Sequence, residues 1–119
     1  MNEPLFLFNG LKTVIYPVRD LEAAKAWYMD LLGVTPHVDE KNYVGFQIGD
    51  SEMGLDPNGF AEGMIGPETY WRVASIEEAS TELLEHGAQQ IGETQTMDSV
   101  KLAKFKDKDG NILGIITYI

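Results

Sequence analysis

The chain repeats itself, and that repeat limits its possible folds more than any other feature. Val18-Arg19-Asp20-Leu21-Glu22 recurs 55 positions later (18 to 73) as Val73-Ala74-Ser75-Ile76-Glu77. Met53-Gly54-Leu55 recurs 60 positions later (53 to 113) as Leu113-Gly114-Ile115. In both copies of the first motif an apolar strand end meets a helix N-cap residue, Asp20 or Ser75, so each half starts as a strand followed by a helix. Self-similarity at this spacing implies a duplicated supersecondary unit with pseudo-twofold symmetry.

The periodicity within each half gives the rest of the unit. Leu21, Ala24, Trp27, Tyr28, Leu31 and Leu32 recur at helical spacing after Asp20, and Gly33 supplies the stop. Ser75 with Glu78 forms a capping box ahead of Ile76, Ala79, Leu83 and Leu84, and Gly87 ends that helix. Strand patterns cover 11–18, 35–39, 43–48, 53–55, 69–74, 89–94, 101–106 and 112–118. The order is βαβββ twice. Gly49-Asp50 and Asp109-Gly110-Asn111 provide the turns before the last strand of each half. The expected fold is therefore α+β, a single domain of two βαβββ units at about 8–56 and 68–119, joined by a loop over 56–67 that is rich in Gly and Pro.

At 119 residues the chain has the size of one ordinary domain. It has no cysteine, which removes disulfides and thiolate metal sites and makes the cytoplasm the expected compartment. No apolar run suggests a signal peptide or membrane anchor. A formal net charge of -10, with nine scattered Lys and Arg, repels a phosphate backbone, so no nucleic-acid partner is expected. The same acidity steers cationic ligands toward the protein, and it also serves ordinary solubility.

Pro17-Val18-Arg19-Asp20-Leu21-Glu22-Ala23-Ala24, Trp27-Tyr28, Leu31-Leu32-Gly33, Tyr70-Trp71-Arg72-Val73 and Asp107-Lys108-Asp109-Gly110-Asn111-Ile112-Leu113-Gly114 stand in an order and spacing that resembles the vicinal-oxygen-chelate superfamily. That superfamily comprises glyoxalases, bleomycin-resistance proteins and extradiol dioxygenases, and the resemblance extends over nearly the whole chain. It implies two curled sheets around a cleft, a homodimeric assembly and, in the enzymes, a divalent metal. That metal is held by His or Glu from the first and last strand of each unit, donors suited to Zn, Ni, Fe or Mn. Carried onto this chain, those positions are Thr13, Gly54, Glu68 and Gly114. Only Glu68 is a strong ligand, so no metal or other cofactor is expected beyond a weakly held divalent ion.

His86 closes a helix, where a capping role fits. His37 follows Pro36, away from the four positions, and reads as structural or exposed. Asp107 to Gly110 reads as a hairpin turn and not as a calcium loop.

Strand alternation from the four positions predicts the cleft lining. The ligand-binding candidates are Thr13, Tyr43, Gln47, Gly54, Glu68, Tyr70, Arg72, Gly114 and Tyr118, with Ile15, Ile112, Ile116, Glu52 and Asp56 beside them. Tyr43, Tyr70 and Tyr118 suit stacking on a planar ligand. Arg72 either clamps a ligand carboxylate or pairs with Glu68. Gly54 and Gly114 either leave room for something bulky or mark a bulge or a backbone contact. Met64 is a candidate lid; Val44, Phe46, Ile48, Leu55, Trp71, Val73, Leu113 and Ile115 are assigned by alternation to the helix-facing core, and Trp27 to the core as well.

Two functions follow. One is metal-independent binding of an aromatic or cationic small molecule, in a bacterial branch of the superfamily. The other is a lyase, isomerase or dioxygenase-like enzyme, with a noncanonical metal site or with Glu68 as general base.

Overall fold

The structure is a computed structural model that describes residues 7–119. The chain divides into two compact units: Lys12–Glu68, and Thr69–Ile119 together with residues 7–11. The fold class is α+β.

The first unit takes most of β1 (Phe8–Pro17), then α1 (Leu21–Leu32), β2 (Val38–Glu40), β3 (Tyr43–Ile48) and β4 (Ser51–Asp56). Asp20 is extended, and its Oδ1 accepts from the Ala23 amide at 3.1 Å, satisfying one of the donors a helix start leaves unpaired. Gly33 ends α1 at φ 71°, and its amide donates to the Met29 carbonyl. β4 runs antiparallel to β3 and parallel to β1, while β2 runs antiparallel to β3.

The second unit contains β5 (Glu68–Val73) from Thr69 onward, α2 (Ile76–Glu85), β6 (Gln89–Met97), β7 (Val100–Lys106) and β8 (Ile112–Tyr118). Ser75 caps α2 through the Glu78 amide at 3.2 Å. His86 closes it, with Nδ1–H donating to the Glu82 carbonyl at 2.8 Å; the carbonyl can only accept, so Nδ1 carries the proton. The pairing repeats that of the first unit, with β8 parallel to β5 and antiparallel to β7. Registers repeat as well. Ile15 lies beside Gly54 and Tyr70 beside Gly114, so the two offsets read in the sequence reappear as equivalent places in the two units.

Each unit packs its helix on one sheet face. Leu21, Val44, Phe46 and Leu55 form the first core, with Tyr16, Ala24, Tyr28 and Met53 around them. Burial, and then the neighbouring Tyr16, raise the Tyr28 hydroxyl pKa above its ordinary value. Val73, Ile76, Ala79, Ala103, Phe105 and Ile115 form the second core, with Trp71 and Leu113 beside them.

Several expectations are corrected. Trp27 is 60% exposed. Leu21, Ala24 and Tyr28, spaced three and four apart, define the buried stripe, and Trp27 is turned about 100° from Tyr28 on the helix. It covers Tyr28 edge-on at 4.8 Å instead. Ile48 stands opposite Ser51 at the hairpin end, exposed and outside the core. β2 begins at Val38 and not Thr35, consistent with Pro36, which has no amide to donate. β6 continues to Met97, its register shifting between Ile91 and Gln95, where Gly92 has φ 70°.

The turn before β8 is held by Asp107, whose Oδ1 accepts from the Asp109 and Asn111 amides and whose Oδ2 accepts from the Asn111 side chain. These bonds, the Asn111 side chain foremost, hold the Asp107 carboxyl below its ordinary pKa. Among the described residues no helix is long and apolar enough to cross a membrane.

Candidate functional site

The face of each sheet opposite its helix carries the site residues expected from the sequence. In the Lys12–Glu68 unit, strand register sets Thr13, Glu52 and Gln47 in one row and Ile15, Gly54 and Gly45 in the next. Thr13 is buried, while Gln47 is exposed and donates to the Gly49 carbonyl at 2.7 Å, tying it to its own turn. Tyr43 lies across this face, and its hydroxyl donates to Glu52 Oε1 at 2.6 Å. Glu68, which opens β5, is 8% exposed.

In the second unit, Tyr70, Gly114 and Lys104 form one row and Arg72, Ile116 and Leu102 the next. The Arg72 guanidinium lies 5.8 Å from the Tyr118 ring centroid. Among the described residues Arg72 makes no ion pair, so the expected alternative of pairing with Glu68 gives way to a cation–π contact. Lys104 was missed in the sequence. The alternation in Leu102-Ala103-Lys104-Phe105 was the available signal, because Ala103 and Phe105 are core.

Both repeated glycines are covered by a tyrosine of their own unit. A side chain on Gly54 would collide with the Tyr43 ring, and one on Gly114 would collide with the Tyr70 ring. The two solutions differ: Tyr43 reaches Gly54 from β3, whereas Tyr70 sits directly beside Gly114 on β5. The room expected above these glycines therefore holds an aromatic ring in each half. Met64, expected as a lid, is buried, and its sulfur lies close to Gly59.

His37 is not remote from the site. Its Nε2 lies 2.6 Å from Glu52 Oε2, so one carboxylate binds Tyr43 on one oxygen and His37 on the other. Neither residue type nor spacing signalled this contact, since His37 precedes β2, outside the strand alternation.

The residues present do not fit the superfamily's metal. Two of its four positions have no side chain and are covered by tyrosine rings. No buried side-chain nitrogen or oxygen among the described residues lacks a hydrogen-bond partner, so no orphaned donor marks a coordination point. Among the described residues no three His, Asp or Glu side chains converge as a metal would require.

The duplicated βαβββ architecture and its paired glycine positions define a protein class, and comparison with known families gives the same answer. The model of the Glyoxalase/Bleomycin resistance protein/Dioxygenase superfamily matches residues 10–115, and the chain belongs to that superfamily. No curated protein matches the chain. Among solved structures, hypothetical protein BH1468 from Bacillus halodurans C-125 superposes with a TM-score of 0.76 at 18% identity, covering 92% of this chain and 94% of its own. An NAD-dependent benzaldehyde dehydrogenase from Legionella pneumophila gives 0.75 at 19%, with coverages of 90% and 98%. Methylmalonyl-CoA epimerase from Mycobacterium tuberculosis gives 0.70 at 18%, with coverages of 99% and 93%. At these identities the likeness is one of fold.

Proposed function

We propose that this protein is a metal-independent binder of small aromatic or cationic molecules. The observation that carries this reading is the tyrosine ring lying over each of the two repeated glycines. Where the superfamily's enzymes place coordinating side chains, this chain places tyrosine rings, Tyr43 half-buried and Tyr70 buried, and aromatic rings stack on planar ligands and attract cations. Thr13, Gln47, Gly54, Glu68 and Tyr43 in one unit, and Tyr70, Arg72, Gly114 and Tyr118 in the other, are the proposed ligand-facing residues. The proposal includes a cytoplasmic homodimer, which sedimentation equilibrium tests.

A panel of planar aromatic compounds, cationic and neutral, is screened by thermal shift in excess EDTA. A ligand present at 100 times its Kd stabilises by about 2.7 kcal/mol. Stabilisation that survives EDTA and is lost in Tyr43→Ala or Tyr70→Ala supports the binder, whereas ligand binding that needs added metal refutes it.

The buried carboxylate of Glu68 favours a second reading, an isomerase-type enzyme with Glu68 as general base. The methylmalonyl-CoA epimerase among the fold neighbours points the same way. Proton exchange at a ligand carbon that disappears in Glu68→Gln, with binding retained, is the result that selects it.

A further inference from the structure

Glu52 holds a closely constrained polar contact in the Lys12–Glu68 unit. Its side chain is 17% exposed, with Tyr43 bound to one oxygen and His37 to the other, each at 2.6 Å. The backbone makes way for this arrangement. Gly45 and Gly54 are cross-strand partners, and a Cβ on Gly45 would stand 2.8 Å from Glu52 Oε2, while Gly54 makes room for the Tyr43 ring. Two facing glycines therefore let a carboxylate and a phenol lie flat on the sheet.

The two donors differ in how firmly they are held. Tyr43 belongs to β3 and is wedged on Gly54. His37 precedes β2, its ring is 40% exposed, and Glu52 is the hydrogen-bond partner of that ring. One carboxylate oxygen thus has a fixed donor and the other an exchangeable one. A largely buried carboxylate strongly disfavours losing a donor without replacement, so any group that displaces His37 must bring a hydrogen-bond donor of its own.

The surrounding charge favours a cation in that role. Residues 12–68 contain ten Asp and Glu against Lys12, Arg19, Lys25 and Lys41. Lys12 donates to the Asp50 carbonyl, Arg19 lies over Phe60, and Lys25 pairs with Asp39, whose bond holds the lysine pKa above its ordinary value. None of the four pairs with Glu52.

We propose that His37 is an internal stand-in for the ligand. Glu52 Oε2 receives one N–H of a cationic group carried on a planar ring, and the His37 imidazole occupies that point until the ligand displaces it. Recognition is through a single N–H, because Tyr43 keeps the other oxygen. This assignment rests on the small-molecule binding reading above and names the ligand class and the residue that selects it.

Calorimetric titration with benzylammonium and with its neutral counterpart benzyl alcohol tests the assignment on the full chain. The wild type should prefer benzylammonium by about tenfold, because both compounds can donate to the carboxylate but only the ammonium adds the attraction of opposite charges. His37→Ala should tighten benzylammonium alone, His37→Gln should behave like the wild type by returning a donor to Oε2, and Glu52→Gln should abolish the preference. Unchanged or weakened benzylammonium binding in His37→Ala overturns the stand-in, as does a preference that survives Glu52→Gln. If both compounds bind equally and ignore all three substitutions, only the stand-in fails. If neither binds any variant, the binding reading fails with it.

Discussion

The covering of Gly114 by Tyr70 can be measured as a coupling energy. Both residues are buried on adjacent strands, and a Cβ at position 114 would collide with the Tyr70 ring. Gly114→Ala forces the ring to move, and overpacking of this kind costs about 1–3 kcal/mol. Against that, replacing Gly restricts the unfolded chain and returns about 0.4–1 kcal/mol. At mid-range an overpacking of about 2 kcal/mol exceeds a return of about 0.7 kcal/mol, leaving a net loss of about 1.3 kcal/mol. In a Tyr70→Ala background the obstacle is gone, so the same substitution should be neutral or mildly stabilising. The return is the same in both backgrounds and cancels, so the coupling is the overpacking itself, about 1–3 kcal/mol, within the range known for residues in contact. Gly66 is the control: nothing lies within 4 Å of a Cβ placed there, so Gly66→Ala should not destabilise. Urea unfolding with linear extrapolation measures all four variants. A Gly114→Ala effect within about 0.5 kcal/mol of zero, or one of equal size in both backgrounds, refutes the covering.

Further expectations follow from the packing and the caps. Phe105→Ala, at a fully buried core position, should cost about 3–5 kcal/mol by urea denaturation. Trp27→Ala should cost only about 0.5–1.5 kcal/mol, since its edge-on contact with Tyr28 is what it loses. Asp20→Ala and Ser75→Ala should each cost about 0.5–2 kcal/mol, because each removes a cap from a helix amide. The depressed Asp107 carboxyl contributes stability above its unfolded pKa and loses it as pH falls through the lower folded value. Asn111→Ala should therefore lower Tm at pH 7 and do so less at pH 3; an equal effect at both pH values contradicts the linkage.

Much of this was legible in the sequence, and the misses share a cause. Asp20, Ser75, Gly33 and Gly87 marked the helix limits because capping depends on a few neighbouring atoms. Alternation placed Val44, Phe46, Leu55, Val73 and Ile115 on the helix faces, since one face of each sheet must be buried. The side chains covering Gly54 and Gly114 were not legible. A glycine in a strand shows that space is needed but not what fills it, and the two halves fill it from different strands. His37 reaching Glu52, 15 residues on, is likewise tertiary geometry beyond local pattern. Trp27 shows the limit of helical periodicity. A stripe wider than the face in contact leaves the choice of buried edge to packing.

Equilibrium dialysis of the purified protein against Zn, Ni and Mn, with metal measured in each compartment, addresses the tyrosine-covered positions most directly. The account predicts no saturable stoichiometric uptake, and the same in Glu68→Ala. One tightly held ion per chain that disappears in Glu68→Ala would contradict it.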